Sequence, residues 1–245
     1  MAEAGRVVAE TIALIGEHVR PGTTTKELDT LADAFIRSRG GIATFKGYRG
    51  YPASVCLSPN DMVVHGIPGP YELEEADLLS VDVGVTLKGF VADSAYTFPV
   101  GEISSEAEHL LEACQAALDA GIDQARGGRR VGDISSAVQQ AAESRGFSVI
   151  RSLVGHGVGR SMHEEPQIPN FGKAGRGPLL KTGMTLAIEP MISVGSPEIY
   201  LHDDNWSIST EDGSLAAHFE HTIAITEEGP RVLTAPAEIK AALLP

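Results

Sequence analysis

Two aspartates lie close together in a stretch of alternating apolar residues. Over residues 78–87 every second side chain is Leu or Val, which predicts a β-strand with Asp82 on the face opposite these apolar side chains. A two-residue hairpin turn at Lys88-Gly89 would set Gly84 opposite Asp93. Provided that no bulge interrupts the pairing, Asp82 and Asp93 are then diagonal neighbours on one face, within reach of a shared ion.

Converging carboxylates call for a cation, because they repel one another and lose hydration among apolar residues. Three further residues are candidate ligands. His156 lies between glycines, and Glu189 and Glu220 each lie inside an apolar, strand-like run. A structural histidine in a glycine-rich turn and acidic residues on solvent-facing strand surfaces are the alternatives. Together the five residues make four carboxylates and one imidazole.

This donor set indicates a particular chemistry. Hard oxygen ligands with one nitrogen suit Mn, Co, Fe, Zn or Mg, and two cysteines are too few for a cysteine zinc site. Four negative charges balance two divalent ions, which bridging carboxylates hold about 3.5–4 Å apart. A paired site lowers the pKa of a bridging water, so hydrolysis of an acyl or phosphoryl bond is expected. No Ser–His or Cys–His pattern and no phosphate-binding loop competes with this reading.

Helices and strands must position these residues. Apolar spacing and the capping-box pair Thr24 and Glu27 predict helices, and the Val-, Gly- and Pro-rich segments between them predict strands and loops. The four predicted helices cover about residues 8–19, 24–40, 104–126 and 133–145. Two helices followed by strands, twice over, predict an α+β fold.

The order of elements suggests an internal duplication with a period of 106. This shift aligns Arg20 with Arg126, Gly22 with Gly128, and residues 38–40 with 144–146. Chance likeness between glycine-ended helices is the alternative. Duplication predicts one domain over residues 1–245, built from halves at about 1–103 and 104–245, with a site between them.

Charge excludes several classes of partner. Lys and Arg number 19 against 33 Asp and Glu, so the net charge is -14. Such a chain repels phosphate backbones and anionic lipids, which argues against nucleic-acid or membrane-surface binding. No apolar run is long enough for a membrane span, and Glu3, Glu10 and Glu17 interrupt any signal peptide. We expect a soluble cytoplasmic protein.

The five candidate ligands and their flanking motifs resemble type I methionine aminopeptidases. The resemblance runs from about residue 4 to 226 and includes the motifs at 47–52, 63–68 and 163–166. It implies the pita-bread (creatinase/aminopeptidase-like) fold, with two pseudo-twofold halves, antiparallel sheet and helices outside, in a single catalytic domain. It also implies removal of the initiator methionine from nascent chains when the next residue is small. A metal-bridging hydroxide would attack the first peptide bond.

The resemblance also implies residue roles. Five residues match metal ligands for two divalent ions, which could be Co, Mn, Fe, Zn or Ni: Asp82, Asp93, His156, Glu189 and Glu220. Glu189 also matches a proton shuttle, His65 a substrate contact near the scissile bond, and His163 a hydrogen-bond donor to the scissile carbonyl. With these two histidines, five residues match the substrate pocket for methionine: Tyr48, Tyr51, Cys56, Met162 and Trp206. Phe45 and Val64 replace cysteines of many relatives, and Met162 a phenylalanine, so we expect changes in pocket shape.

Partners and rival functions are less sharply predicted. The loop between Glu189 and Glu220 contains no Lys or Arg, and no N-terminal extension precedes the domain, so only weak ribosome association is left open. We expect a monomer that acts on the N-termini of nascent polypeptides. The alternatives are a prolidase or aminopeptidase P-like peptidase, and a non-catalytic pita-bread binding protein. The motif at 63–68 and the presence of both His65 and His163 argue against them.

Overall fold

Amphipathic segments of the chain form helices where the apolar spacing predicts them. The structure is a computed structural model that describes residues 1–235. Its four α-helices are Ala2–Gly16 (α1), Thr25–Ser38 (α2), Ser105–Gln124 (α3) and Val131–Glu143 (α4). A short 3₁₀ turn covers Tyr48–Gly50.

Local side-chain bonds explain the helix boundaries. The predicted capping box is confirmed: Thr24 Oγ1 accepts from the backbone N–H of Glu27 at 3.2 Å, and the Glu27 carboxylate accepts from the backbone N–H of Thr24 at 2.8 Å. Helix α1 begins six residues before the predicted range of 8–19 and ends three residues before its end, where the His18 ring lies 2.9 Å from the carbonyl oxygen of Leu14. Helix α4 starts two residues earlier than predicted, because the Asp133 carboxylate accepts a hydrogen bond from the backbone N–H of Arg130, the residue before the helix.

Fifteen strands are described within residues 1–235, and most are short. They are Ile42–Ala43 (β1), Cys56–Pro59 (β2), Met62–Val64 (β3), Leu78–Leu87 (β4), Phe90–Pro99 (β5), Ser148–Val149 (β6), Val154–Gly157 (β7), Glu164–Pro169 (β8), Thr185–Ile188 (β9), Met191–Ser193 (β10), Ile199–Leu201 (β11), Ile208–Thr210 (β12), Ala216–His218 (β13), His221–Thr226 (β14) and Gly229–Val232 (β15). All strand pairings are antiparallel.

The long hairpin of β4 and β5 has the predicted register. Gly84 pairs with Asp93 and Asp82 with Ala95, without a bulge along the ten pairs of the ladder. The apolar face of β4 packs against α1 and α2 in one hydrophobic core. The opposite face carries Asp82, and Gly84 leaves the room that the Phe45 ring occupies. The period-two prediction for this hairpin is therefore confirmed.

A second sheet, in the order β15-β14-β9-β7-β8, packs with α3 and α4 around a second core. Thr222 of β14 joins this sheet to the hairpin. Its hydroxyl accepts from the backbone N–H of Asp93 at 2.9 Å and donates to the Asp93 carbonyl at 2.7 Å. The two cores thus face each other across β5 and β14, and this junction brings Asp93 to the second sheet.

The two helix pairs repeat along the chain, and their second helices keep the predicted interval. Helices α2 and α4 begin at Thr25 and Val131, which is the predicted interval of 106, and each follows a longer helix. Helices α1 and α3 differ in length and do not keep this interval at either end. The assignment of residues 1–245 to one catalytic domain extends beyond the described residues and stays a prediction. Among residues 1–235, none of the helices has the length and apolar character needed to cross a membrane.

Candidate active site

The five predicted ligands come from both sheets and line one cavity of about 170 Å³. Asp82 and Asp93 lie within β4 and β5, and His156 lies within β7. Glu189 directly follows β9, and Glu220 directly precedes β14, whose first residue pairs with the last residue of β9. Because β9 and β14 are adjacent, these two glutamates meet at the same edge of the sheet.

Distances between the side chains match a compact cluster. His156 Nε2 lies 3.4 Å from Glu189 Oε1 and 3.9 Å from Asp93 Oδ2. One donor atom each of Asp93, His156 and Glu220 falls within 4.8 Å of the others. A single ion could therefore contact all three, and the remaining two carboxylates border the same space.

The carboxylates are under electrostatic strain. Burial, together with the neighbouring carboxylates, raises the pKa of Asp93, Glu189 and Glu220 well above the ordinary range. Burial raises the pKa of Asp82 to about 7. One buried oxygen of each of the four lacks a hydrogen-bond partner among the described residues. Buried polar atoms are normally paired, so these oxygens mark a place for a ligand.

His156 is prepared to offer a lone pair. Its Nδ1 lies 2.9 Å from the carbonyl oxygen of Gly157, so Nδ1 carries the proton and Nε2 faces the carboxylates as an acceptor. Burial lowers the pKa of His156 to about 4, which keeps the ring neutral near pH 7. A side chain at Gly155 or Gly157 would overlap the backbone of β9 or β8, so glycine at these positions lets the neighbouring strands approach His156 closely.

The residues fit divalent metal ions. Four orphaned carboxylate oxygens supply hard donors and negative charge, and one imidazole nitrogen is oriented among them by its own backbone bond. No protein cation neutralises these carboxylates: every salt bridge to them within residues 1–235 comes from a histidine whose pKa is lowered. Divalent cations would remove this repulsion.

His65 and His163 both line the cavity beside the cluster. The His163 ring lies 4.3 Å from the His156 ring between centroids, and its Nδ1 is 2.8 Å from the Tyr48 hydroxyl. His65 follows β3 with a left-handed backbone, φ 61°, and its ring meets Trp206 edge to face at 6.4 Å. Burial lowers the pKa of both histidines, that of His65 to about 4. Both rings are neutral near pH 7.

An apolar wall completes the cavity. The Tyr51 ring meets Trp206 edge to face at 5.1 Å, and the Tyr51 hydroxyl donates to the Gly66 carbonyl at 2.8 Å. The structure places all five predicted pocket residues on the cavity lining: Tyr48, Tyr51, Cys56, Met162 and Trp206. Phe45 also lines it, as expected. Val64 is not among the lining residues and packs in a separate core with Ile150, so it shapes the pocket only indirectly.

Two residues near the site carry no role in the sequence-based prediction. His218 is buried, and its Nε2 lies 4.0 Å from both Glu189 Oε2 and Glu220 Oε2. Its position two residues before Glu220 in a strand-like run was the available signal, since such residues share a face. Arg49 lines the cavity mouth with a left-handed backbone, φ 50°, inside the motif at 47–52.

Comparisons with known proteins agree with this geometry. The chain matches metallopeptidase family M24 over residues 1–227. A methionine aminopeptidase from Clostridium perfringens (strain 13 / Type A) is 50% identical over 234 residues, covering 96% of this chain and 94% of the relative. Methionine aminopeptidase 1 from Bacillus subtilis (strain 168) matches with the same identity and coverage.

The solved structures agree as well. A methionine aminopeptidase from Thermotoga maritima superimposes with a TM-score of 0.95 at 43% identity, covering 96% of this chain and 95% of that chain. This likeness confirms the predicted pita-bread fold. With a family match over nearly the whole chain and relatives at half identity, the protein belongs to metallopeptidase family M24.

Proposed function

We propose that the protein removes the N-terminal methionine from polypeptides whose second residue is small. The observation that carries this proposal is one cavity in which four strained carboxylates and His156 adjoin two neutral histidines and an apolar wall. A hydrolytic centre and a pocket for one apolar side chain are thereby side by side. The relatives that cover nearly all of the chain bear the name methionine aminopeptidase, which supports the same substrate.

Two divalent ions would be held by five residues: Asp82, Asp93, His156, Glu189 and Glu220. Four negative charges support two ions rather than one, and the oxygen-rich donor set suits Mn, Co, Fe, Zn or Ni. When bound, such a pair makes hydroxide available near neutral pH and polarises the peptide carbonyl. The protein's own part is to hold the four carboxylates and the oriented His156 ring in one cluster.

Proton transfer is assigned to Glu189. Its buried carboxylate has a raised pKa, so it accepts a proton more readily than an exposed glutamate does. Its Oε1 faces the cluster without a hydrogen-bond partner. We assign Glu189 to take the proton from the attacking water and to deliver it to the amine that leaves.

Substrate orientation is assigned to the two histidines. A hydrogen bond from the Tyr48 hydroxyl to His163 Nδ1 would leave the proton of the neutral ring on Nε2. His163 Nε2–H would then donate a hydrogen bond to the scissile carbonyl. This bond would strengthen as negative charge develops on the carbonyl oxygen. His65, whose ring contacts Trp206, is assigned to the substrate near the scissile bond.

The apolar wall accounts for selection of methionine. The wall carries the rings of Tyr51 and Trp206 and the buried thiol of Cys56, whose pKa burial raises, so these three side chains are uncharged near pH 7. An unbranched thioether packs well against aromatic rings, whereas a charged first residue would lose its hydration without a partner. Norleucine should still be cleaved, because a small change of an apolar side chain alters binding by only about 1–3 kcal/mol.

The substrates in the cell are assigned as the N-termini of nascent polypeptides, which places the protein in the cytoplasm. The net charge of -14 disfavours binding to phosphate-rich surfaces. We therefore propose no direct nucleic-acid specificity, at most weak ribosome association, and a monomer.

A four-peptide panel tests the proposal. Protein loaded with Mn²⁺ receives Met-Ala-Ser, Met-Lys-Ser, Leu-Ala-Ser and Ala-Pro-Ser, and the residue released is identified by chromatography. We expect rapid release of methionine from Met-Ala-Ser alone. Equal rates for Met-Ala-Ser and Met-Lys-Ser would contradict methionine excision, and cleavage confined to Ala-Pro-Ser would indicate a prolidase or aminopeptidase P. No release from any peptide, with metal bound, would indicate a non-catalytic protein.

A further inference from the structure

We propose that His218 is a positioning residue that supplies a hydrogen-bond donor to the carboxylates of Glu189 and Glu220. It would hold one oxygen of each glutamate and leave the other oxygen directed into the metal cluster. This inference rests on the proposed function, because the metal role of the two glutamates is itself proposed.

The backbone holds His218 firmly beside the two glutamates. It ends β13 and pairs with Met191, the first residue of β10. The Thr97 hydroxyl accepts from the His218 backbone N–H and donates to the His218 carbonyl, both at 2.9 Å. These bonds fix the backbone from which the His218 ring extends toward the cluster. The residue is only 2% exposed.

The two glutamates divide their oxygens in the same way. His218 Nε2 lies 4.0 Å from the Oε2 atom of each. Their Oε1 atoms are buried and have no hydrogen-bond partner within the described residues, and Glu189 Oε1 lies 3.4 Å from His156 Nε2. Each carboxylate thus presents Oε2 to His218 and keeps Oε1 free, which is the arrangement expected of a residue that orients ligands rather than one that replaces them.

The chemistry of the ring favours donation at Nε2. Neither ring nitrogen of His218 has a hydrogen-bond partner among residues 1–235. A histidine ring can carry an N–H on either nitrogen. A lone pair directed at two carboxylate oxygens would be repelled, so the proton belongs on Nε2. A carboxylate shift of about 1 Å brings either oxygen into hydrogen-bonding range.

The test compares variants at position 218 that keep or lack an N–H donor. His218→Gln keeps an N–H donor at a similar reach, whereas His218→Leu and His218→Phe remove the donor and replace the ring with an aliphatic and an aromatic side chain. Each chelated protein is titrated with Mn²⁺ by calorimetry, and kcat and KM for Met-Ala-Ser are measured at saturating metal. Loss of an outer partner of metal ligands typically lowers metal affinity about 10–100-fold. We expect this loss in both donor-free variants and a change within about threefold for His218→Gln.

A matched control is available one residue beyond Glu220. His221 is a histidine whose ring bonds Thr234 at 2.9 Å instead of the cluster. His221→Leu should lower the melting temperature while Mn²⁺ affinity stays within about threefold. The control separates a loss of folding stability from a loss of ligand orientation.

Each outcome decides between roles. Unchanged affinity and kcat in either folded donor-free variant would overturn the proposal and make His218 a core residue. A lower Mn²⁺ stoichiometry in all three variants, His218→Gln included, would also overturn it and make His218 a direct ligand. If the unsubstituted protein binds no Mn²⁺, the proposed function fails first, so the two failures are distinguishable.

Discussion

The floor and the wall of the active-site cavity are built on opposite principles. The floor consists of the five candidate ligands on or beside strands, and each of its four carboxylates has one buried oxygen without a partner within residues 1–235. The five are Asp82, Asp93, His156, Glu189 and Glu220. The wall consists of aromatic and apolar side chains, many on loops, and the hydroxyl of Tyr51 within it is fully engaged with the Gly66 and Val55 carbonyls. The floor thus contains carboxylate oxygens that lack hydrogen-bond partners within residues 1–235, whereas the Tyr51 hydroxyl of the wall is already hydrogen-bonded.

This difference shows which part of the cavity should be stabilised most by binding a ligand. Buried carboxylates that repel one another destabilise the folded chain until a cation joins them, so the floor couples folding to metal. The wall has no comparable strain for a ligand to relieve, because it carries no cluster of like charges and the Tyr51 hydroxyl is already hydrogen-bonded. Four changes test this contrast, and the largest effects are expected at the floor.

Removal of metal should have the largest effect. We expect exhaustive treatment with EDTA to abolish cleavage of Met-Ala-Ser and Mn²⁺ or Co²⁺ to restore it, because the four carboxylates require divalent charge. Asp93→Ala should not respond to added metal, whereas the matched change at the exposed Asp123 on α3 should respond fully. Full activity in chelated protein, with metal absence confirmed by elemental analysis, would contradict a metal-dependent floor.

Substitution of His156, which belongs to the floor, and of His163, which lies beside it, should have different effects on bound metal and on rate. His156→Ala should lower metal affinity and rate together, and excess metal should recover part of the rate. His163→Ala should keep its metal and lower kcat by about 10²–10³, because it removes a donor to the developing oxyanion. Bound metal, melting temperature and kcat of both variants are the measurements.

The assignment of His163 has a clear counter-outcome. If His163→Ala loses metal, the His163 ring is a metal ligand and not a donor to the substrate. If it keeps a near-normal kcat and only its melting temperature falls, the contact with Tyr48 is structural.

The pH dependence of stability should expose the strain in the floor. The pKa of Asp82 is raised to about 7 in the folded chain, above its ordinary value of about 4 in the unfolded chain. Between these values the folded state binds more protons, so the cost of this carboxyl grows as the pH rises and is complete above about 7. In EDTA, Asp82→Asn should therefore be more stable than the unsubstituted protein, by a margin that widens from pH 5 to pH 8.

Urea unfolding of both proteins at each pH measures this margin. The buried histidines, whose lowered pKa values act in the opposite direction, cancel in the difference between the two proteins. With saturating Mn²⁺ the order should reverse, because only the unsubstituted protein keeps the Asp82 carboxylate for the ion. A margin that narrows as the pH rises in EDTA would contradict strain at Asp82.

A change in the wall should have the smallest effect. Tyr51→Phe removes the donor to the Gly66 and Val55 carbonyls, so we expect a loss of about 0.5–1.5 kcal/mol in the free energy of unfolding. Metal affinity should not change, since this hydroxyl touches no ligand. Tyr96→Phe is the control, because the Tyr96 hydroxyl has no hydrogen bond within residues 1–235, and its change should be smaller. A loss of metal in Tyr51→Phe would show that floor and wall are coupled.

Local patterns explain the features that could be predicted. The alternation over β4 and the turn at Lys88-Gly89 determine the hairpin register, because side chains alternate strictly along a strand. Thr24 and Glu27 determine a helix start, because their bonds span only three residues. The donor types alone indicate a metal site, and the ordered motifs indicate the family.

Only the tertiary structure decided how the two sheets meet. The bond between Thr222 and Asp93 joins residues far apart in the chain, and no local period encodes it. For the same reason the structure, and not the pattern, places His218 against both glutamates and removes Val64 from the cavity lining. The sequence determined which donors exist and on which faces of β4 and β5 the two aspartates lie. Glu189 and Glu220, predicted inside strand-like runs, lie just outside β9 and β14. Their distances, unpaired oxygens and raised pKa values arise from long-range packing, which brings separate strands together and excludes water from between them.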